Sequence, residues 1–169
     1  MVSPGQSIQE AIDRASPGDV ICLGEGTWRE NLWIEKSVTL RGAGPGKTVI
    51  ISQRREIEGS EIEVILEGLT LTGGWGLAVN GSPQVTVKSC EISDNTYAGL
   101  VVGGSAQVTL QDSKVSGNNE FESYAGLWVG GSAQVTLKNS QVSARLIHAS
   151  LGWRAERGER TSLGTEGRL

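Results

Sequence analysis

The sequence predicts an all-β fold: a single-stranded parallel β-helix, a solenoid closed at its start by one short helix. Three observations lead there. Residues 98–118 and 125–145 are near copies of one another, and a looser copy occupies 75–95. Within each copy apolar and polar residues alternate at the period of a strand, as in Gln107 to Leu110 and Gln134 to Leu137. The copies recur after 23 residues (Gly76 to Gly99) and 27 residues (Gly99 to Gly126). A unit of that length cannot bury its own apolar side and must stack on its neighbours.

The chain opens with helical spacing. Ile8, Ala11, Ile12 and Ala15 follow the i, i+3, i+4, i+7 rule, while Gln9, Glu10, Asp13 and Arg14 face away. Ser7 with Glu10 three residues on forms a capping-box pattern, and Pro17-Gly18 stops the helix. Residues 3–18 therefore read as a capping helix over the open core of the first coil. From Asp19 the period becomes two. Ile21 and Leu23, Leu32 and Ile34, Val38 and Leu40, and Val49 and Ile51 are expected to point inward, with turns at 24–26 and 41–46.

The coils are expected over residues 19–143, about six in all by the turn spacing. Aligning the copies gives inward rows: Val64, Val85, Val108, Val135; Leu66, Val87, Leu110, Leu137; Leu69, Cys90, Ser113, Ser140; Leu71, Ile92, Val115, Val142. A third side carries Leu77, Leu100, Leu127 beside Val79, Val102, Val129. Like lies on like at the strand spacing of about 4.8 Å. The extra residues of the longer repeat fall in the polar stretch 118–124, which can bulge as a loop.

Four stretches carry a resemblance: Pro4 to Ile12, Ser16 to Leu23, Gly26 to Leu32 and Ser37 to Gly44. Together with the Gln-Val-Thr-Leu units they resemble right-handed parallel β-helix proteins of the pectin-lyase-like superfamily, NosD-like members included. The likeness covers about residues 3–143. It implies a right-handed β-helix and an extracellular or periplasmic location. The superfamily hosts lyases, hydrolases, binding proteins and structural shafts, so the resemblance leaves function open.

The superfamily's enzymes use clustered aspartates, or an Arg base with calcium. Here Glu91, Asp94 and Asp112 stand singly, whereas a glycosidase needs two carboxyls about 5–9 Å apart. Glu56, Glu58, Glu61, Glu63 and Glu67 form the densest acidic run, but alternation along a strand does not wrap a calcium ion. A solvated acidic edge is the simpler reading. Arg41, Arg54 and Arg55 could hold a carboxylate, with no partner base in sight; His148 also lacks one. Cys22 and Cys90 sit on separate strands without a CxxC spacing and read as buried free thiols. No catalytic residue, metal or cofactor is expected.

The net charge of −4 divides into +2 over residues 144–169 and −6 before them. An acidic body argues against nucleic acid. No apolar run approaches the length of about 20 residues that crosses a membrane, and no basic-then-apolar leader follows Met1.

Asn95 and Asn118 occupy equivalent corners and are expected to form a structural ladder along the axis, ending where Arg145 takes the position. Thr86, Thr109 and Thr136 form an outward row beside Gln84, Gln107 and Gln134; Lys88 and Lys138 break the flat plane that ice binding requires. Ala78, Val101 and Trp128 form another outward row, with Trp33, Trp75, Tyr97, Phe121 and Tyr124 expected near the same side. Residues 144–169 abandon the repeat. They read either as a dedicated cap or as residues appended by a shifted reading frame. The expectation is a non-catalytic structural or interaction module, a fragment of a larger β-helix protein. It is expected to self-associate through Val101, Phe121, Tyr124 and Trp128, or through Leu146, Ile147, Leu151 and Trp153. The alternative is a module that binds or processes a polysaccharide in a groove beside 121–124.

Overall fold

The computed structural model describes residues 1–118, 126–148, 153–155 and 162–164, with side chains described as far as Ser143. Three faces alternate along the chain. Face A stacks 19–22, 38–41, 63–67, 84–88, 107–111 and 134–138. Face B stacks 26–29, 48–52, 70–73, 91–93, 114–116 and 141–143. Face C stacks 32–34, 55–57, 77–79, 100–102, 127–129 and 146–148. Every pairing among the described strands is parallel, and the six rungs of each face span about five turns from first to last.

The inward rows hold as aligned: Val64 through Val135, Leu66 through Leu137, and Leu100 with Leu127 are all buried. The helix spans Ile8–Arg14 and buries Ile8 and Ile12 against the first coil. Ser7 Oγ accepts from Glu10 N at 3.1 Å. Glu30, reaching up from the first coil, accepts from Ser7 Oγ, Ile8 N and Gln9 N. A carboxylate there meets the positive end of the helix and its unpaired amides.

One strand turns the other way from the expected register. Thr48, Ile50 and Ser52 point inward, and Val49 and Ile51 lie half-buried on the outer side. Ile50 is fixed between Trp28 below and Leu71 above, and a strand has only two sides. Thr48 is useful inside because its Oγ1 donates to Gly24 O and accepts from Ala43 N, closing the 41–46 turn. Cys90 is buried as expected, but Cys22 is only half-buried, on the outer side of face A beside Arg41.

The solenoid also runs past the boundary at 143. Backbone 146–148 pairs with 127–129, 153–155 with 135–137, and 162–164 with 143–145. Parallel ladders use main-chain groups, so a chain can keep the register after its side-chain repeat has lapsed. Leu146, Ile147 and Trp153 thus stand in strands that continue the ladder. Phe121, Tyr124 and Leu151 lie outside the described residues.

The corners explain the scattered carboxylates. Gly68, Ser89, Asp112 and Asn139 close face A in successive coils, all with φ between 48° and 66°. Asp94 and Gly117 share such a slot after face B, at 54° and 65°. Glycine, aspartate and asparagine tolerate that left-handed conformation best. These aspartates hold turns.

Candidate functional site

Turning at a corner leaves main-chain carbonyls without a ladder partner, and a buried one must find a donor. Between faces A and B, Cys90 Sγ lies 3.4 Å from Leu66 O and Ser113 Oγ 3.0 Å from Val87 O, each reaching one coil back. Between faces B and C the amides do the same. Asn118 Nδ2 donates to Ile92 O at 2.9 Å, and Asn95 Nδ2 to Leu71 O at 3.2 Å. Asn118 Oδ1 accepts from Asn95 N and Asn95 Nδ2, so the two side chains are joined along the axis.

The next rung down has no asparagine. Its residue is Gly73, with φ 120° and no room for a Cβ, which would lie 2.5 Å from Ser52 O. Ile50 O, the carbonyl below Leu71 O in register, is reached instead by Arg55 Nη2 at 2.7 Å. Arg55 stands in the inward row of face C, where Leu32, Leu77, Leu100 and Leu127 occupy the other rungs. It is 2% exposed. Its guanidinium also donates to Thr72 O, Trp75 O and Gly76 O. Burial lowers its pKa to about 10, so it remains cationic at neutral pH with carbonyl dipoles as its partners. The sequence reading offered Arg55 to a substrate; it faces the interior and is not available to one. Arg41 is committed too, to Glu67 at 2.8 Å, with Lys88 on the other carboxylate oxygen at 3.0 Å. Those two bonds, Arg41 first, hold the Glu67 carboxyl below its usual range.

Above Arg55, on the outer side of face C, one row runs Trp33, Glu56, Ala78, Val101 and Trp128. A cleft of about 370 Å³ opens on this face, lined by Arg54, Glu56, Trp75, Ala78, Asn80 and Val101. Aromatic groups border it. Arg54 lies over the Trp33 ring, 4.7 Å from its centroid, and Trp75 stacks on Tyr97 at 5.4 Å. Glu56 is buried but compensated: Arg54 Nη2 approaches at 2.7 Å and Asn80 Nδ2 at 3.2 Å. The lining is therefore half apolar, from Trp75, Ala78 and Val101, and its two charges are paired with one another.

Trp128 extends the same face. A Cβ on Gly130 would fall 2.2 Å from the Trp128 ring, and one on Gly103 only 2.8 Å from Asn80 Oδ1. The six-membered end of the indole lies over Gly130. The first glycine of each pair after Val102 and Val129 clears space on this face.

The structure thus brings Trp33, Val101 and Trp128 into one row, with Trp75 and Tyr97 beside it. Sequence reasoning missed Glu56 and Asn80 as cleft residues, since both lie in stretches outside the strongest copies. Among the described residues no group of three or more His, Cys, Asp or Glu could hold a metal ion, and no helix is long and apolar enough to cross a membrane.

Comparison with known proteins agrees with this architecture. The family described as "Right handed beta helix region" matches residues 26–150, and the chain belongs to that family. It is also 35% identical over 92 residues to a protein of Methanothermus fervidus named "Cell surface glycoprotein". That stretch is 53% of this chain and 15% of the relative, so the chain spans a small part of the relative's length.

Proposed function

We propose that this member of the right-handed β-helix family is a non-catalytic binding module of a cell-surface protein, with the outer side of face C as its interacting surface. One observation carries the reading: an aromatic-bordered cleft whose charged groups are already neutralised by one another. Such a surface offers stacking and hydrogen bonds without a free acid or base. The name of the Methanothermus fervidus relative supports placing it outside the cell. The expected partner is a second copy, with the Trp33 to Trp128 row buried between the two. Analytical ultracentrifugation tests this: a dimer that Trp128→Arg converts to monomer supports it, and a strict monomer at high concentration overturns it.

A second reading is favoured by the half-buried indole over Gly130. Such a ring stacks well on a sugar face. In that case wild-type protein on a glycan array gives reproducible signals that Trp128→Ala abolishes. Turnover of an acidic polysaccharide would overturn the non-catalytic assignment in both readings.

A further inference from the structure

We propose that Arg55 is a positioning residue for the cleft: from inside the solenoid it fixes the main chain of Trp75 and so sets the Trp75–Tyr97 border. The proposal rests on the reading of face C as the interacting surface. Two independent facts lead to it. First, the strand pairing between 71 and 75 is irregular, with register shifts on both sides of Gly73. On the other side the segment stays tied to the coil before, through the pairs Ile51–Thr72 and Ser52–Gly73 and the bond from Trp75 N to Gln53 O at 3.1 Å, so it is the pairing toward the next coil that is interrupted. Second, the carbonyls of this segment converge on one point: Arg55 donates to Thr72 O, Trp75 O and Gly76 O, and to Ile50 O on the coil before.

The chemistry suits this task. A guanidinium presents rigid, planar donors, two on each terminal nitrogen, and can serve several carbonyls at once. An asparagine, which does this work in the next coils, offers one amide. The irregular segment presents more inward carbonyls than one amide can serve. Without Arg55 those carbonyls face an apolar interior, where each unpaired group is costly. Residues 72–76 would then turn toward water and carry Trp75 off Tyr97. The leucines on neighbouring rungs show that the space accepts an apolar side chain, so Arg55→Leu is the informative change.

The test uses protein labelled with 5-fluorotryptophan, its five Trp lines assigned by single Trp→Phe changes. In Arg55→Leu the ¹⁹F line of Trp75 is expected to shift and broaden while those of Trp28 and Trp128 stay in place. An unmoved Trp75 line, or equal displacement of all lines, overturns the proposal. Should Arg55→Leu not fold, wild-type protein still decides. The Arg55 Nη–H protons are expected to exchange about 100-fold more slowly than those of exposed Arg29, and equal rates refute the bonding. The two readings fail separately. If Trp75 moves but wild-type protein neither dimerises nor binds glycans, the interacting surface falls and Arg55 keeps its role. If binding holds and Trp75 is unmoved, Arg55 loses it.

Discussion

Two regions of one corner solve the same problem with different chemistry. In the later coils, where the sequence repeats, Asn95 and Asn118 pass their amides along the axis and satisfy Leu71 O and Ile92 O. In the earlier coil, where the repeat is weakest, Gly73 has no side chain and Arg55 crosses from face C to reach Ile50 O. A repeated corner can use one small donor per rung. An irregular corner needs a single large one, and it accepts a buried cation to get it. The cleft on face C lies over the irregular corner.

Removing each donor separates the two solutions. Arg55→Ala should be the more damaging, by about 3–5 kcal/mol, because it leaves several carbonyls unpaired and an empty volume behind. Asn118→Ala removes the bonds to Ile92 O, Asn95 N and Asn95 Nδ2, and should cost about 2–3 kcal/mol. Urea unfolding of both variants checks the order. Equal losses would mean that the cation carries no more of the corner than an amide does.

What the sequence made legible follows the same division. The inward rows, the helix with its Ser7 cap, the Asn95–Asn118 pair and the Val101–Trp128 row all come from exact periodicity, and they stand in the structure as aligned. Arg55 was not legible as an interior residue, because in sequence an Arg-Arg pair between Gln53 and Glu56 looks solvated. Only the register of Leu32 and Leu77 shows that it replaces a leucine. The strand 48–52 misled for a related reason: Val-Ile-Ile is apolar on both sides, so alternation does not say which side is buried. Thr48, polar yet inside, decides it. Glu56 and Asn80 form the cleft from separate coils with no spacing to announce them.

The corner between faces A and B gives a smaller and independent measure. There Cys90 occupies the row that Ser113 and Ser140 fill later, and burial pushes its thiol up from 9.0 to about 11. The unfolded chain releases this proton first, so between about pH 9 and pH 11 the folded state holds more protons and stability falls as pH rises. The pH-dependent loss specific to Cys90 should reach about 2 kcal/mol near the top of that window. It is read as the difference between wild type and Cys90→Ser, each unfolded in urea at pH 8 and pH 10.5. Cys22 is present in both proteins and cancels. A slope shared equally by both would show that the thiol of this corner is reached by water.

The smallest expected effect on stability bears most directly on the cleft. Gly130→Ala adds one methyl group at a position whose Cβ would overlap the Trp128 ring. The ring can move off the sheet, so the cost should stay near about 1 kcal/mol, in contrast to the corner variants. Gly103→Ala, on the coil before, perturbs the cleft itself, since its Cβ would crowd Asn80 Oδ1 while lying 3.8 Å from the indole. If face C is the interacting surface, Gly130→Ala should weaken dimerisation or glycan binding about as much as Trp128→Ala does, while the unfolding midpoint barely moves. Tryptophan quenching by acrylamide reports whether the indole has left the sheet. An indole displaced without loss of binding would separate the cleft from Trp128, and leave the Trp75–Tyr97 border that Arg55 holds as the part of face C that makes the contact.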